Sequence, residues 1–183
     1  LSGIGINYIY HIYEDSKGRV WFATDGKGLT MMQNNRFTHF SEKEGLTGKV
    51  IYSVAEDKKG VIWCAALQKG LFQYNGKTFA NFGTDKGIPD LDISSLDTDN
   101  KGNLFCISRS GYFLIDAETQ SVIIPGNEKQ LGIFNTDLNS TDHTKGGVVF
   151  HTSNGIFRYV SPSYQQMNQP QTAITSVSLF LKE

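Results

Sequence analysis

The sequence predicts an all-β fold, built from small antiparallel sheets that repeat along the chain. Two observations indicate this fold. The segment EDSKGRVWFATDGKGL at residues 14–29 recurs as EDKKGVIWCAALQKGL at residues 56–71, with 9 of the 16 positions identical and a constant offset of 42 residues. Within each copy, short runs of β-branched and aromatic residues end at Gly, Asn or Asp, which is the pattern of strands joined by tight turns. We therefore expect the same structural unit more than once.

Each copy is expected to form four strands, and the turns between them have recognisable chemistry. Between the first and second strands stands Asp-x-Lys-Gly, in which Asp15, Asp57 or Asp99 accepts a backbone hydrogen bond and the glycine supplies a positive φ. Between the third and fourth strands stands Asn34-Asn35 or Asn75-Gly76, a second hairpin signal. Four antiparallel strands in about 42 residues are the unit of a β-propeller blade.

Two further copies follow with weaker similarity. The third keeps the glycine turn and places Phe105 where the first two copies have tryptophan. The fourth is offset by 44 residues from the third, and Gly146, Val149 and Gly155 mark it. We therefore predict propeller repeats over 1–165, with blades at approximately 6–42, 48–84, 90–124 and 134–160.

The repeated aromatic position has a structural interpretation. A twisted four-stranded sheet that is apolar on both faces cannot bury either face alone, so we expect one large side chain per blade to fill the gap to the next blade. The predicted wedges are Trp21, Trp63, Phe105 and Val149. Burial of one such ring contributes roughly 2–3 kcal/mol on area grounds. The alternative, that the tryptophans stack on a ligand, is disfavoured by their fixed place in each copy.

The repeated motif resembles the two-component regulator propeller repeat. The resemblance rests on a strand ending in Glu-Asp, then x-x-Gly-x-x-Trp, a small residue, a turn and Gly-Leu, as in HIYEDSKGRVWFATDGKGL and SVAEDKKGVIWCAALQKGL. It is weaker in SLDTDNKGNLFCISRSGYF and HTKGGVVFHTSNGIFRY. The final residues, QPQTAITSVSLFLKE, resemble the opening of the immunoglobulin-like domain that follows such propellers. Residues 166–183 are therefore expected to form a linker and the first strand of that β-sandwich.

Proteins of this family are membrane-spanning sensors, including the hybrid two-component histidine kinases of Bacteroides-type bacteria. The resemblance implies a periplasmic region of an inner-membrane protein, with propellers of about seven blades, a sandwich domain, a membrane helix and a cytoplasmic kinase. It also implies that the signal is an oligosaccharide released from a glycan. The chain is then expected to be a segment of a longer polypeptide, whose remaining blades and sandwich domain are its partners.

Four blades are few for such a ring, because seven blades divide the circle into steps of about 51°. A closed four-bladed ring is the tighter alternative. We expect instead an open arc, formed by the last four blades of a larger propeller. The exposed faces of its end blades favour partner contacts or a homodimer.

Candidate ligand contacts lie in the turns between the second and third strands, because such turns gather on one face of a propeller and surface loops often carry function. The candidates are Asp25, Lys27, Gln68, Lys69, Arg109, Ser110, Ser153 and Asn154. Varied polar residues on a constant frame suit a hydroxyl-rich or anionic sugar, and they equally suit plain solvated turns. The blade connectors SEKEGLTG and GTDKGIPD are open to the same two interpretations.

Other chemically reactive side chains have simpler interpretations. Cys64 and Cys106 stand 42 residues apart at the same place in neighbouring blades, and we favour two small buried residues over a disulfide. The four histidines lack paired metal-ligand spacing, and His11 aligns with Ser53 and Ser95. The segment DTDNKGN lacks the ligands that a calcium loop needs at its fifth and twelfth positions. We expect no metal and no cofactor.

Composition narrows the classes of function. With 17 basic and 18 acidic residues and no long run of like charge, nothing indicates binding to nucleic acid or to an anionic membrane surface. No apolar stretch approaches the ~18 residues of a membrane span, and no catalytic motif is present. We therefore predict a sensing module that is not an enzyme. A propeller scaffold for protein contacts is the main alternative, and a catalytic propeller such as a polysaccharide lyase is the third.

Overall fold

The computed structural model describes residues 8–126, 131–134, 138–144 and 147–161. Within them, fifteen strands form four antiparallel sheets, three with four strands and one with three. The strands are β1 (Ile9–Glu14), β2 (Val20–Thr24), β3 (Leu29–Gln33), β4 (Arg36–Phe40), β5 (Ile51–Glu56), β6 (Ile62–Ala66), β7 (Gly70–Tyr74), β8 (Phe79–Phe82), β9 (Ile93–Thr98), β10 (Leu104–Ser108), β11 (Gly111–Ile115), β12 (Val122–Ile123), β13 (Thr141–Thr144), β14 (Gly147–Thr152) and β15 (Gly155–Tyr159). The predicted all-β fold of successive small sheets is confirmed.

The strands of each sheet follow chain order, and the first strands of the sheets lie side by side. In sequence, β1 contacts β5, β5 contacts β9, and β9 contacts β13. These four strands form the inner side of the assembly, and the last strand of each sheet lies outermost. Among the described residues, β13 and β1 share no contact of this extent. The four sheets therefore form an open arc.

An aspartate builds the turn between the first and second strands of each of the first three sheets. Its Oδ1 accepts the backbone N–H groups of the residues two and four positions later, at 2.8–3.1 Å. The three aspartates are Asp15, Asp57 and Asp99. The glycine three residues after each has a φ between 69° and 76°, a conformation that residues with a Cβ avoid. The Asp-x-Lys-Gly segments thus form the hairpin turns that their residues predict.

Two of these aspartates also hold the aromatic residue of the next strand. Asp15 Oδ2 accepts the indole N–H of Trp21 at 2.7 Å, and Asp57 Oδ2 accepts that of Trp63 at 2.9 Å. In the third sheet the phenyl ring of Phe105 has no N–H group to donate. In that sheet Asp99 Oδ2 accepts hydrogen bonds from the side-chain NH₂ group of Asn103 at 3.0 Å and from the hydroxyl of Ser161. Each of these carboxylates therefore has partners for both of its oxygens. In the first two sheets the second oxygen links turn and ring, a contact that the sequence did not predict.

A large ring from each of the first three sheets packs against the following sheet. Trp21 is fully buried and lies 5.4 Å, centroid to centroid, from the ring of Tyr74 in the second sheet. Trp63 is buried within the core shared by the second and third sheets. Phe105 is fully buried and lies 5.6 Å from the ring of Phe150 in the fourth sheet. Each interface between neighbouring sheets thus contains one of these rings.

Val149 occupies the predicted wedge position of the fourth sheet. This residue pairs with Arg158 in the register that corresponds to Phe105, but it is only half-buried. The neighbouring Val148 and Phe150 are buried and pack against the third sheet. Because successive strand residues point to opposite faces, Val149 points away from the third sheet. Val149 thus faces away from the preceding sheet, as Trp21, Trp63 and Phe105 do, and no described sheet lies on that side, so its role as a wedge stays a prediction. Phe150 supplies the large ring on the face that meets the third sheet.

The strands of the four sheets span 9–40, 51–82, 93–123 and 141–159. The expected linker and sandwich strand at 166–183 lie outside the described residues, as does Gly146 of the fourth copy. In the described part of the chain, no helix has the length and apolar character needed to cross a membrane.

Candidate functional site

The eight predicted contact residues lie in four equivalent turns, one pair in each sheet. Asp25 and Lys27 lie between β2 and β3, Gln68 and Lys69 between β6 and β7, Arg109 and Ser110 between β10 and β11, and Ser153 and Asn154 between β14 and β15. All eight are exposed. The structure therefore distributes them along the arc at one end of the strands.

Each of these turns is tied by a backbone N–H group to a connector between two sheets. The pairs are Gly28 N with Lys49 O, Gly70 N with Leu91 O, Ser110 N with Asp90 Oδ2, and Ser153 N with Ile133 O, at 2.8–3.2 Å. Turns and connectors thus share one surface. We call it the turn face, defined by the turns at 25–28, 67–70, 109–110 and 153–154 and the connector residues paired with them.

A cavity of about 260 Å³ on the turn face adjoins the first connector. It is lined by Lys27 from the turn, by Ser41, Glu42 and Lys49 from the connector, and by glycine backbone. Lys27 and Lys49 are exposed, so their ammonium groups are available to a ligand. The other seven predicted contacts do not line this cavity; they are Asp25, Gln68, Lys69, Arg109, Ser110, Ser153 and Asn154.

A second cavity, of about 230 Å³, lies among the first strands of the four sheets. We call it the inner cavity. Its polar lining residues are His11, Tyr13, Asp97, Thr98, Asn139, Thr141 and His143. None of them was predicted as a ligand contact. A signal was nevertheless present, because Tyr13 and Asp97 are separated by two repeat lengths of 42 residues and so occupy the same place on the first and third inner strands.

His11 joins the first inner strand to the second. Its Nδ1 accepts the backbone N–H of Val54 at 3.1 Å, so the neutral ring carries its proton on Nε2. Burial lowers the pKa of the imidazole, which favours this neutral form. Ser53 has the same role one repeat later, because its Oγ accepts the backbone N–H of Leu96 at 3.1 Å. The alignment of His11 with Ser53 therefore reflects a shared acceptor for the next strand.

Asp97 and His143 pair across the third and fourth inner strands. His143 Nδ1 lies 2.8 Å from the carbonyl oxygen of Thr98 and 3.3 Å from Asp97 Oδ1. A carbonyl oxygen only accepts, so His143 Nδ1 carries a proton. Asp97 Oδ1 also accepts the backbone N–H of Thr98 at 2.6 Å. Burial raises the pKa of the Asp97 carboxyl, although the Thr98 N–H and His143 act in the opposite direction.

Asn139, in the connector before β13, contacts the inner strands of the other three sheets. Its Nδ2 donates to the carbonyl oxygens of Tyr10 and Tyr52 at 2.9 and 3.1 Å, and its backbone N–H donates to that of Ser94 at 3.2 Å. The two carbonyls fix the orientation of the amide, because only its NH₂ group can donate to both. Its Oδ1 is buried and has no hydrogen-bond partner among the described residues, and neither do the hydroxyls of Ser94 and Ser140.

The two cysteines lie in different interfaces between sheets. Both are free and fully buried, Cys64 between the first and second sheets and Cys106 between the second and third. Burial raises the pKa of both thiols, which disfavours the reactive thiolate. They therefore act as small core residues, the interpretation favoured from the sequence. In the part of the chain that the structure describes, no three His, Cys, Asp or Glu side chains come together as a metal-binding group.

Comparison with known proteins bears on the family and the fold. The family model of the two component regulator propeller matches residues 3–26. The extracellular domain of the hybrid two component system BT3049 from B. thetaiotaomicron is 18% identical over 94% of this chain and 27% of its own, with a TM-score of 0.68. That of BT4673 from the same organism is 22% identical over 84% and 23%, with a TM-score of 0.69. No curated protein sequence matches the chain.

A third similar structure belongs to an enzyme. Virginiamycin B lyase from Staphylococcus aureus, solved as an inactive variant with quinupristin, is 12% identical over 90% of this chain and 59% of its own, with a TM-score of 0.56. At such low sequence identities the similarity shows the fold alone. The same fold occurs in sensors and in lyases, so the absence of catalysis stays a prediction. The chain spans about a quarter of the length of the two sensor domains. The predicted fold and the recognised repeat are confirmed: this chain is an open propeller arc that carries the two-component regulator propeller repeat.

Proposed function

We propose that this chain belongs to the periplasmic signal-sensing region of a hybrid two-component histidine kinase held in the inner membrane. The observation that carries this proposal is the regulator propeller repeat at residues 3–26, in a chain whose fold resembles the extracellular domains of two such systems over 84% or more of its length. The similarity to the lyase has the lower TM-score, 0.56, and supports the enzyme alternative less.

The proposed signal is an oligosaccharide derived from a glycan, and the proposed contact surface is the turn face. Its exposed polar side chains stand on turns that are hydrogen-bonded to the connectors, so a rigid frame positions them. The cavity at Lys27 and Lys49 adds two ammonium groups, which suit the hydroxyl groups or the carboxylate of an acidic sugar. The chain binds this ligand or supports a site completed by neighbouring blades, and the sandwich domain relays the signal to the membrane helix.

The proposed partners are the remaining blades, the sandwich domain and a second copy of the chain. Ile12, on the face of the first sheet opposite Trp21, is 58% exposed, and Ile156 of the fourth sheet is 41% exposed. Exposed apolar side chains on the end sheets are typical of contact surfaces. The same residues support the alternative function, a propeller scaffold for protein contacts without a small ligand.

Isothermal titration calorimetry on the full chain tests the ligand proposal, with a panel of neutral and uronate-containing oligosaccharides. We expect saturable binding and a loss of affinity of about tenfold or more in the variant Lys27→Ala/Lys49→Ala, because each charge-assisted hydrogen bond contributes about 1.5–3 kcal/mol. Lys77→Ala, which removes an exposed lysine between β7 and β8, is the matched control and should bind as the wild type does. If no member of the panel binds saturably, the scaffold alternative is favoured.

Size-exclusion chromatography with light scattering tests the proposed self-association. We expect a dimer whose population falls in Ile12→Lys, because the change places a charge on an exposed apolar face. A stable monomer at all accessible concentrations contradicts the homodimer and the exposed end face on which it depends.

A further inference from the structure

The inner cavity is built from all four sheets, and its size limits what it can hold. His11 comes from the first inner strand, Asp97 from the third and His143 from the fourth, while Val54 lines it from the second. Its volume of about 230 Å³ equals roughly eight water molecules at about 30 Å³ each. Pockets for drug-sized ligands are larger, at roughly 300–1,000 Å³. The part of an occupant that the cavity encloses is therefore about the size of a single sugar ring.

One side of the cavity offers a hydrogen-bond donor. His11 Nδ1 is occupied by the backbone N–H of Val54, which leaves the Nε2–H group of the neutral ring as a donor. Nε2 has no hydrogen-bond partner among the described residues. Because Nδ1 accepts the Val54 N–H and lies 3.4 Å from the Ser53 hydroxyl, β5 orients the ring before any ligand arrives.

Other sides of the cavity offer acceptors. Both amide hydrogens of Asn139 are used by the carbonyl oxygens of Tyr10 and Tyr52, and its Oδ1 is buried without a partner in the described part of the chain. Asp97 Oδ1 is occupied by Thr98 and His143, whereas Oδ2 has no hydrogen-bond partner among the described residues. A buried acceptor without a partner is costly, so a group that donates to it gains more than it would in open water.

This set of groups selects a ligand class. An apolar molecule leaves the Asn139 and Asp97 oxygens unpaired, and an anion is repelled by the Asp97 carboxylate. An ammonium group donates to both oxygens but cannot accept the hydrogen of His11 Nε2. A hydroxyl group both donates and accepts, so several hydroxyls on one compact molecule satisfy the donor and both acceptors together.

We propose that the inner cavity is a second ligand site, separate from the turn face, and that it binds a small neutral polyhydroxylated molecule such as a cyclic polyol or a single sugar ring. This site goes beyond the proposed function, because it uses none of the turn-face residues. A molecule bound there contacts the first, third and fourth sheets at once, so it links the sheets of the arc and stabilises the folded chain by mass action.

The test uses the full chain, with myo-inositol and D-glucose as probes and with acetate and ethylammonium as charged controls. The readouts are the imidazole resonances of His11 and His143 and the melting temperature. We expect saturable shifts of both imidazoles and a rise in melting temperature with at least one polyol, and no saturable shift with either charged compound. Saturation by a charged compound alone, or by no probe, overturns the proposal.

Two variants separate the inner cavity from other sites. Asp97→Asn keeps an oxygen for the Thr98 N–H but loses the carboxylate, and His143→Gln removes the exposed partner of that carboxylate. We expect Asp97→Asn to weaken polyol binding at least tenfold and His143→Gln to weaken it several-fold, with far-UV circular dichroism unchanged. Lys27→Ala/Lys49→Ala should bind the polyol as the wild type does. Equal loss in the lysine variant, or no loss in either cavity variant, contradicts the inner site, whereas failure of oligosaccharide binding at the turn face leaves it intact.

Discussion

In the first two sheets an indole fills the space to the next sheet, whereas in the third sheet a phenyl ring does so. Trp21, Trp63 and Phe105 are all at most 1% exposed. The sheets differ at the second oxygen of the turn aspartate, which accepts the indole N–H in the first two sheets and the Asn103 amide in the third. Burial of a ring is therefore common to the three sheets, whereas the donor to the turn carboxylate differs between the first two sheets and the third.

Asn103 shows how the third sheet compensates for the missing indole donor. It lies four residues after Asp99, is 7% exposed, and donates to the carboxylate while its Oδ1 accepts the backbone N–H of Ala117 at 3.1 Å. The first two sheets have Arg19 and Val61 at this position. The repeat thus preserves a hydrogen-bonded turn aspartate rather than the identity of the residue that donates to it.

The largest expected effect is the loss of an indole. Trp63→Ala should lower the free energy of unfolding by about 3–5 kcal/mol, because it leaves a cavity between the second and third sheets. Trp63→Phe keeps a ring but leaves Asp57 Oδ2 without its donor, and should cost about 1–3 kcal/mol. Denaturant unfolding followed by circular dichroism measures both. A cost below about 1 kcal/mol for Trp63→Ala means that the ring does not support the interface.

The next effect concerns the substitute donor in the third sheet. Asn103→Val should cost about 1–3 kcal/mol, because the Asp99 carboxylate and the Ala117 N–H both lose a partner. Phe105→Trp introduces the indole donor of the other sheets. In the Asn103→Val background it should recover about 1 kcal/mol relative to the sum of the two single changes, as measured by a double-mutant cycle. If the free-energy costs of Asn103→Val and Phe105→Trp are strictly additive, an indole does not replace the Asn103 amide as the donor to Asp99.

A smaller effect is expected at the inner strands, where the first sheet has His11 and the second has Ser53 as the acceptor. Because burial lowers the pKa of His11 in the folded chain, the unfolded chain binds the proton more readily. The unfolding free energy of the wild type should therefore fall as the pH decreases through the unfolded pKa of about 6.5 towards the lower folded value. His11→Ser removes this part of the pH dependence and keeps an acceptor for Val54. Equal pH dependence in both proteins, measured by denaturant unfolding from pH 8 to 5, contradicts the buried neutral histidine.

The smallest effect is expected at the surface link between the second and third sheets. Lys58 and Lys59 lie 3.2 and 2.9 Å from the carboxylate of Glu118, and their hydrogen bonds lower its pKa. Solvent screens such exposed pairs, so Glu118→Gln should leave the melting temperature unchanged within error at neutral pH and moderate salt. A large decrease means that the charged link, and not the ring of Trp63 between the same sheets, holds them together.

Much of the fold could be predicted from the sequence, because the repeat is written in residues with strong local preferences. The Asp-x-Lys-Gly turns and the aromatic position indicated strands, hairpins and packed sheets without any long-range information. The filling of the last interface was less predictable, because the fourth copy has the ring of Phe150 where the second and third copies have the small side chains of Cys64 and Cys106.

The candidate sites were less predictable than the fold. Exposed turn residues such as Lys27 follow directly from the position of the turns, although the cavity beside it also needs Lys49 from the connector. The inner cavity depends on Asp97 and His143, which are 46 residues apart and meet only when the third and fourth sheets are placed side by side. The role of Asn139 depends on a connector that reaches three other sheets, and no local sequence pattern indicates such a contact.

The packing of successive sheets through buried indoles is tested most directly by the hydrogen-exchange rates of the two indole N–H groups, measured by NMR in the native chain. We expect slow exchange for both, because each group is buried and bonded to its own aspartate. We also expect Asp57→Ala to accelerate exchange of the Trp63 N–H far more than that of Trp21. Rapid exchange of both groups in the unaltered chain, at rates typical of exposed indoles, contradicts the packing of successive sheets through these rings.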